Sequence, residues 1–297
     1  MAQEPARARA LGLIPEAILA HVPGFSARGA NRNSALAVRL PGGTMNSSYR
    51  VDTSAGRFVV RIHNPAATSL GADHEREARL HAAAAAAGLA PALIHVDEQF
   101  RFMIMEHIAG DTWTVEDFGR ADRLGQLGAA LHVLHAVTPP PVAAFDIETS
   151  LRRHAERLSA ASPGEGAMLA QLMDRASVAL RVSGTAQRPK ALVHHDLNHL
   201  NLIGAERLYL LDWEYAAVTD PLLDLACILA YYPQAMAHTD ALLDASRISH
   251  LATPEMLTAT TWLFVLLSWF WYRTRRLAGP ISAAELATEK ALLARLG

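Results

Sequence analysis

The chain has 297 residues, 51% of them apolar and 19% charged, with a formal net charge of −2. This composition excludes an intrinsically disordered chain, and the near-neutral balance provides no basic field for a nucleic-acid partner. The single cysteine, Cys227, excludes an internal disulfide and a paired-cysteine metal site.

Residues 1–10 carry charges but no apolar run of signal-peptide length. The most apolar stretch, residues 261–272, is about half as long as a bilayer span requires. A cytoplasmic protein without a membrane span is expected. From residue 35 the pattern becomes short and β-rich. Residues 36–40 and 48–51 flank a turn at Pro41-Gly42-Gly43, and residues 57–62 follow a second turn signal at 54–56. That is the pattern of an antiparallel meander. A helix is predicted over 72–87, stopped by Gly88 with Pro91 just beyond. Two further strands are predicted at 92–97 and 101–106.

After Gly110 helical periodicity dominates, over roughly 121–136, 151–160, 167–182, 221–231, 254–276 and 282–295. The exception is a strand-and-loop island at 192–212. The pattern predicts an α+β protein with two lobes. A small β-rich lobe covers 1–106, a larger and mainly helical lobe covers 107–297, and the hinge falls near 105–110. Nothing in the sequence bears on oligomeric state.

The island carries the chemistry. Asp196 follows an apolar strand, Asn201 comes five positions later, and Asp212 ends the next apolar strand. A carboxylate and a carboxamide on one loop, facing a second carboxylate, offer hard oxygen ligands suited to Mg²⁺ and one spare base. Asp220 and Asp224, in Asp220-Pro-Leu-Leu-Asp224-Leu-Ala226, read as structural, capping the following helix and anchoring the loop.

The spacing His194-x-Asp196-x₄-Asn201, followed by Asp212-Trp-Glu, resembles the catalytic loop and metal-binding segment of protein kinases. With Asp220-Pro-x-x-Asp224-Leu-Ala226 added, the chain resembles the choline/ethanolamine kinase-like branch of the aminoglycoside phosphotransferase superfamily. The resemblance implies a bilobal protein kinase-like fold and ATP and Mg²⁺ as cofactors. It also implies transfer of the γ-phosphoryl group to a hydroxyl of a small-molecule alcohol. Asp196 would take the hydroxyl proton, His194 would brace the loop, and Asn201 and Asp212 would hold the metal. Gly42, Gly43 and Asn46 resemble the family's Gly-Gly-x-x-Asn phosphate loop. Arg61 stands where kinases keep their phosphate-binding cation, with Glu77, or alternatively Glu75, as its helix partner. The backbone near Glu106 and Ile108 would meet adenine.

For the acceptor, Trp262, Trp269 and Trp271 with Glu214 are the candidates, since aromatic faces and a carboxylate attract a choline-like or ethanolamine-like cation. Thiamine and aminoglycosides are alternative acceptors. Two other classes remain open. One is a nucleotide-binding pseudokinase, and the other is a metal-dependent hydrolase built on His194, His195, Asp196 and His199.

Overall fold

A computed structural model describes residues 13–26, 36–41, 46–65 and 73–297. The chain divides into two compact units, Met1–Thr112 with Leu202–Glu214, and Trp113–Asn201 with Tyr215–Gly297. The division expected at 106/107 thus falls at 112/113, and a distant segment joins the first unit. Backbone pairing accounts for this. Strand β6 (Asp111–Thr112) is antiparallel to β8 (Leu202–Gly204), which pairs in turn with β9 (Leu208–Leu210).

The first unit is built on a five-stranded antiparallel sheet in the order β1-β2-β3-β5-β4, with β1 Leu36–Arg39, β2 Ser47–Thr53, β3 Gly56–Ile62, β4 Leu93–Val96 and β5 Phe102–Glu106. Side chains alternate across each strand. Phe58 and Val60 of β3 therefore join Tyr49, Val51 and Ile104 in a core that a helical turn, Glu16–Leu19, closes with Leu19. Arg61 falls on the opposite face. Helix α1 (His74–Ala86) starts at Asp73, whose carboxylate accepts from the Arg76 amide at 3.0 Å, and stops at Gly88 in the left-handed conformation, φ +76°.

In the second unit, helices α2 (Ala121–His135), α3 (Ile147–Ala161), α4 (Gly166–Ser183), α5 (Leu222–Tyr231), α6 (Thr239–Ser246), α7 (Pro254–Ala278) and α8 (Ala283–Ala294) surround a two-stranded ribbon of β7 (Ala191–Val193) and β10 (Ala217–Thr219). The long α7 packs against α3, α4, α5 and α8. Helix α6 and strands β6 and β10 are absent from the sequence reading because each is too short to show a period. No helix among the described residues is long and apolar enough to cross a membrane.

A buried ion pair fixes the entry to α5. Arg188 donates twice to Asp220, at 2.8 Å each, and Asp220 caps the Leu222 amide at 3.0 Å. Elsewhere α2 meets α6 at Gly128, where a Cβ would lie 2.7 Å from the Leu242 carbonyl and 2.8 Å from the Ala245 methyl. Gly128→Ala is therefore expected to lower the unfolding free energy by about 1–3 kcal/mol through overpacking, despite the roughly 1 kcal/mol that alanine gains in a helix. Denaturant unfolding of the variant and the parent measures the difference. A variant more stable than the parent would mean that the helices separate without cost.

Candidate active site

In the second unit, the segment after β7 is held from beneath by one buried carboxylate. Asp224, on α5, accepts the His194 amide at 3.0 Å and the His195 amide at 2.9 Å. His135 of α2 donates to its other side at 3.0 Å. Burial would raise the Asp224 carboxyl, but the His135 hydrogen bond and charge and the His195 amide hold it below its ordinary value. His195 itself sits at φ +66°, a conformation that costs a residue with a side chain about 1–3 kcal/mol. The paired amides on Asp224 and ring contacts with Phe145 and Phe264 keep it there.

The loop then folds on itself. The Asp196 amide donates to His194 Nδ1 at 3.3 Å, so His194, fully buried, braces the loop through its ring. Asn201, at the end of a 3₁₀ turn, gives Nδ2 to the Asp196 carbonyl at 2.9 Å and to Asp196 Oδ2 at 2.8 Å. The five-residue spacing thus brings Asp196 and Asn201 into direct contact and leaves the Asn201 carbonyl oxygen as an acceptor.

In the first unit, the buried Arg61 gathers three carboxylates on one nitrogen. Nη2 lies 2.6 Å from Asp212, 3.3 Å from Glu214 and 3.4 Å from Glu77. Burial opposes the charge, but Asp212, Glu77 and Glu214 together raise the guanidinium pKa further above its ordinary value. Of the two acids weighed on α1, Glu77 meets Arg61, while Glu75 pairs with Arg79 on the exposed face at 2.6 Å. Asp212 is left-handed, φ +62°, with its side chain partly open. Asn46 donates to Glu214 at 2.7 Å and accepts the Asn64 amide at 3.1 Å.

Several expectations change. Glu214, expected beside the acceptor, turns its carboxylate to Arg61 and Asn46, because a buried carboxylate needs the nearest cation and donor. The three tryptophans do not converge. Trp269 is 1% exposed in the core, Trp262 lies beneath the Arg175 guanidinium, and Trp271 stands edge-on to Tyr215. Nine residues of helix turn through about two and a half revolutions, so Trp262 and Trp271 point to opposite sides of α7.

Glu106 gives its amide to the Ala92 carbonyl at 2.9 Å, and Ile108 follows in irregular backbone. Gly42 and Gly43 lie outside the described residues. The four residues of the hydrolase reading do not form a metal cluster. His194 is bonded to the Asp196 amide, His199 to Tyr232, and His195 packs on phenylalanines. His135 was missed because its partner is 89 positions away and no local spacing announces it.

Residues 37–255 match the profile described as the phosphotransferase enzyme family. The chain belongs to that family. Among curated proteins no sequence matches this phosphotransferase. Among solved structures, it is similar to a choline/ethanolamine kinase family protein from Mesorhizobium loti, with 24% identity and a TM-score of 0.74, covering 94% of this chain and 91% of the other. The choline kinase LicA from Streptococcus pneumoniae is similar at 17% identity and a TM-score of 0.75, over 97% and 99% of the two chains. A spectinomycin phosphotransferase, solved with ADP and spectinomycin, is similar at 13% identity and a TM-score of 0.59, over 86% and 88%. These likenesses give the phosphotransferase a protein kinase-like fold, with the antiparallel sheet in the first unit and the helices in the second.

The Arg61–Glu77 pair gives the phosphotransferase an acid-side signature. Burial alone would raise the Glu77 carboxyl, yet Arg61, His74 and His63 hold it at about 2, below its ordinary 4.5. Its stabilisation is complete above about pH 5 and is lost as pH falls through about 2, a difference of about 3 kcal/mol. Denaturant unfolding between pH 7 and pH 2 should show the gap between the parent and Glu77→Gln closing over that range. A constant gap would mean that the carboxylate charge contributes nothing.

Proposed function

We propose that this phosphotransferase moves the γ-phosphoryl group of ATP, with Mg²⁺, to the hydroxyl of a small cationic alcohol of the choline or ethanolamine kind. The observation that carries the reading is the Asp196 carboxylate, bonded to Asn201 on a loop whose amides are fixed by Asp224. Such a carboxylate is positioned to orient a hydroxyl and take its proton. Asp212, in the first unit, and Asn201, in the second, are the residues that would hold the metal through oxygen. They fit a hard divalent cation, since the Asn201 amide donors are engaged by Asp196 and its carbonyl oxygen remains.

Bound Mg²⁺ would draw negative charge from the γ-phosphoryl oxygens. Around Arg61, three carboxylates face one guanidinium, and that excess of negative charge favours a metal-bound nucleotide over a bare one. Arg61 Nε, buried and without a hydrogen-bond partner among the described residues, is a donor for a phosphate oxygen. Glu214 belongs with this phosphate end, holding Arg61 and Asn46 in place. The Glu106 carbonyl and the Ile108 amide are the backbone groups assigned to adenine.

For the acceptor, the second unit offers an aromatic group of Tyr215, Trp271 and Tyr272, one member of which feels the Asp196 charge. Trp271 stands edge-on to Tyr272 at 4.9 Å and to Tyr215 at 6.0 Å. The Tyr272 phenol is pushed up to about 12, first by burial and then by the Asp196 charge. Ring faces beside that carboxylate favour an ammonium, by roughly 0.5–2 kcal/mol each. Similarity to a bacterial choline kinase and to a choline/ethanolamine kinase family protein supports the same class of acceptor.

A coupled ATP assay against choline, ethanolamine, thiamine and kanamycin tests the class. With the preferred acceptor, Asp196→Asn should lower kcat by about 10²–10⁴ while leaving the Kd for ATP nearly unchanged. Retention of more than about a tenth of the parent kcat would remove Asp196 from the proton transfer.

Trp271→Leu should raise the KM for choline about fivefold or more and leave the KM for ATP unchanged. Trp262→Leu, on the other side of the helix, should leave both constants alone. Equal shifts from the two variants would place the acceptor elsewhere.

A further inference from the structure

His63, one residue past β3, and His74 and Glu77, in the first turn of α1, meet in the first unit. Their ligand atoms all lie within 4.8 Å of one another, the only such group among the described residues. Glu77 Oε2 is 3.3 Å from His74 Nδ1 and 3.6 Å from His63 Nε2. We propose that His63, His74 and Glu77 form a transition-metal site, with Zn²⁺ as the matching ion.

His63 Nδ1 lies 2.6 Å from the Phe100 carbonyl, and a carbonyl can only accept, so Nδ1 carries the proton. The lone pair of a neutral His63 then sits on Nε2, which is buried, has no hydrogen-bond partner and faces the Glu77 carboxylate. His63 as a whole is 6% exposed. Two electron pairs facing each other in a buried place are unfavourable unless a cation lies between them.

A proton is one candidate. The ring is buried, and burial works against the charged form that a proton would produce. A metal ion satisfies both groups. The Phe100 carbonyl on the far nitrogen is the arrangement that orients ligating histidines.

Donor type and spacing select the ion. Two imidazoles and one carboxylate suit Zn²⁺, whereas Mg²⁺ requires an octahedron of oxygens. Bonds of about 2.0–2.1 Å in a tetrahedron put neighbouring ligand atoms about 3.3 Å apart, close to the 3.3 and 3.6 Å between the Glu77 oxygen and the two imidazoles. The two rings are stacked, 4.0 Å apart and 10° from parallel, so one must turn to aim its lone pair at a shared ion. His74, the first residue of α1 with its side chain 13% exposed, is the less buried of the two rings and the one assigned that turn. The other Glu77 oxygen stays with Arg61, so a bound ion would tie the start of α1 to the end of β3 without displacing that pair. The site shares Glu77 with the Arg61 cluster, but its test reads metal binding directly and does not depend on phosphotransfer.

Chelator-treated protein is titrated with Co²⁺ and then with Zn²⁺. One equivalent of Co²⁺ should produce the strong visible bands of four-coordinate cobalt, and Zn²⁺ should abolish them. His74→Gln and Glu77→Gln should each weaken Zn²⁺ binding about 10-fold or more, while His250→Gln, at an exposed histidine, should leave it unchanged. His63→Gln should behave like His74→Gln. If its loss of packing prevents folding, His74→Gln carries the test alone. Weak bands of octahedral cobalt only, or unchanged binding in His74→Gln, would overturn the site.

Discussion

One guanidinium holds the first unit's polar interior together. Arg61 is buried on the face of β3 away from the apolar core, and it meets Glu77 from α1 and Asp212 and Glu214 from the segment after β9. Without it the buried Glu77 and Glu214 would be left in a low-dielectric place, each at a cost of several kcal/mol, and the partly open Asp212 would lose its cation. With it they are still in excess of positive charge. The arrangement is therefore stable enough to form and carries an excess of negative charge, which is the condition that favours a divalent cation.

The second unit applies the same physics with the signs reversed. There a single buried carboxylate, Asp224, faces backbone donors. Two amides of the loop and the His135 ring converge on it, and their combined hydrogen bonds hold His195 in a left-handed conformation that an isolated histidine avoids. The strain lies one residue before Asp196. Strain of this kind is retained where surrounding contacts over-determine the backbone, and here those contacts come from Asp224 on α5, His135 on α2 and the rings of Phe145 and Phe264.

Much of the fold was legible in the sequence, because turn residues and periodicity are local signals. The meander, the helix ended by Gly88 and the run of later helices all follow from spacing within a dozen residues. The catalytic-loop motif was legible for the same reason, since Asp196 and Asn201 are five positions apart and bond directly. Pairings across long separations were not. Asn46 and Glu214 are 168 positions apart, and His135 and Asp224 are 89 apart, so no local pattern marks either. The tryptophans misled for another reason. Helix α7 packs against four other helices, so apolar residues occupy most of its circumference and periodicity does not say which face an indole takes. The pair His74-x-x-Glu77 did carry a signal, the three-residue spacing that puts two side chains on one helix face, but His63 completes the group from a different element.

The discontinuity of the first unit has a consequence for biosynthesis. Residues 1–112 leave the ribosome well before residues 202–214 that complete them. At usual translation speeds the intervening stretch of about ninety residues takes roughly 4–18 s to make. Throughout that interval β6 lacks β8, and Arg61 has Glu77 within reach but neither Asp212 nor Glu214. Of the three carboxylates that meet Arg61, Glu77 is the one already made, so the Arg61–Glu77 contact is the one available to the sheet from the start.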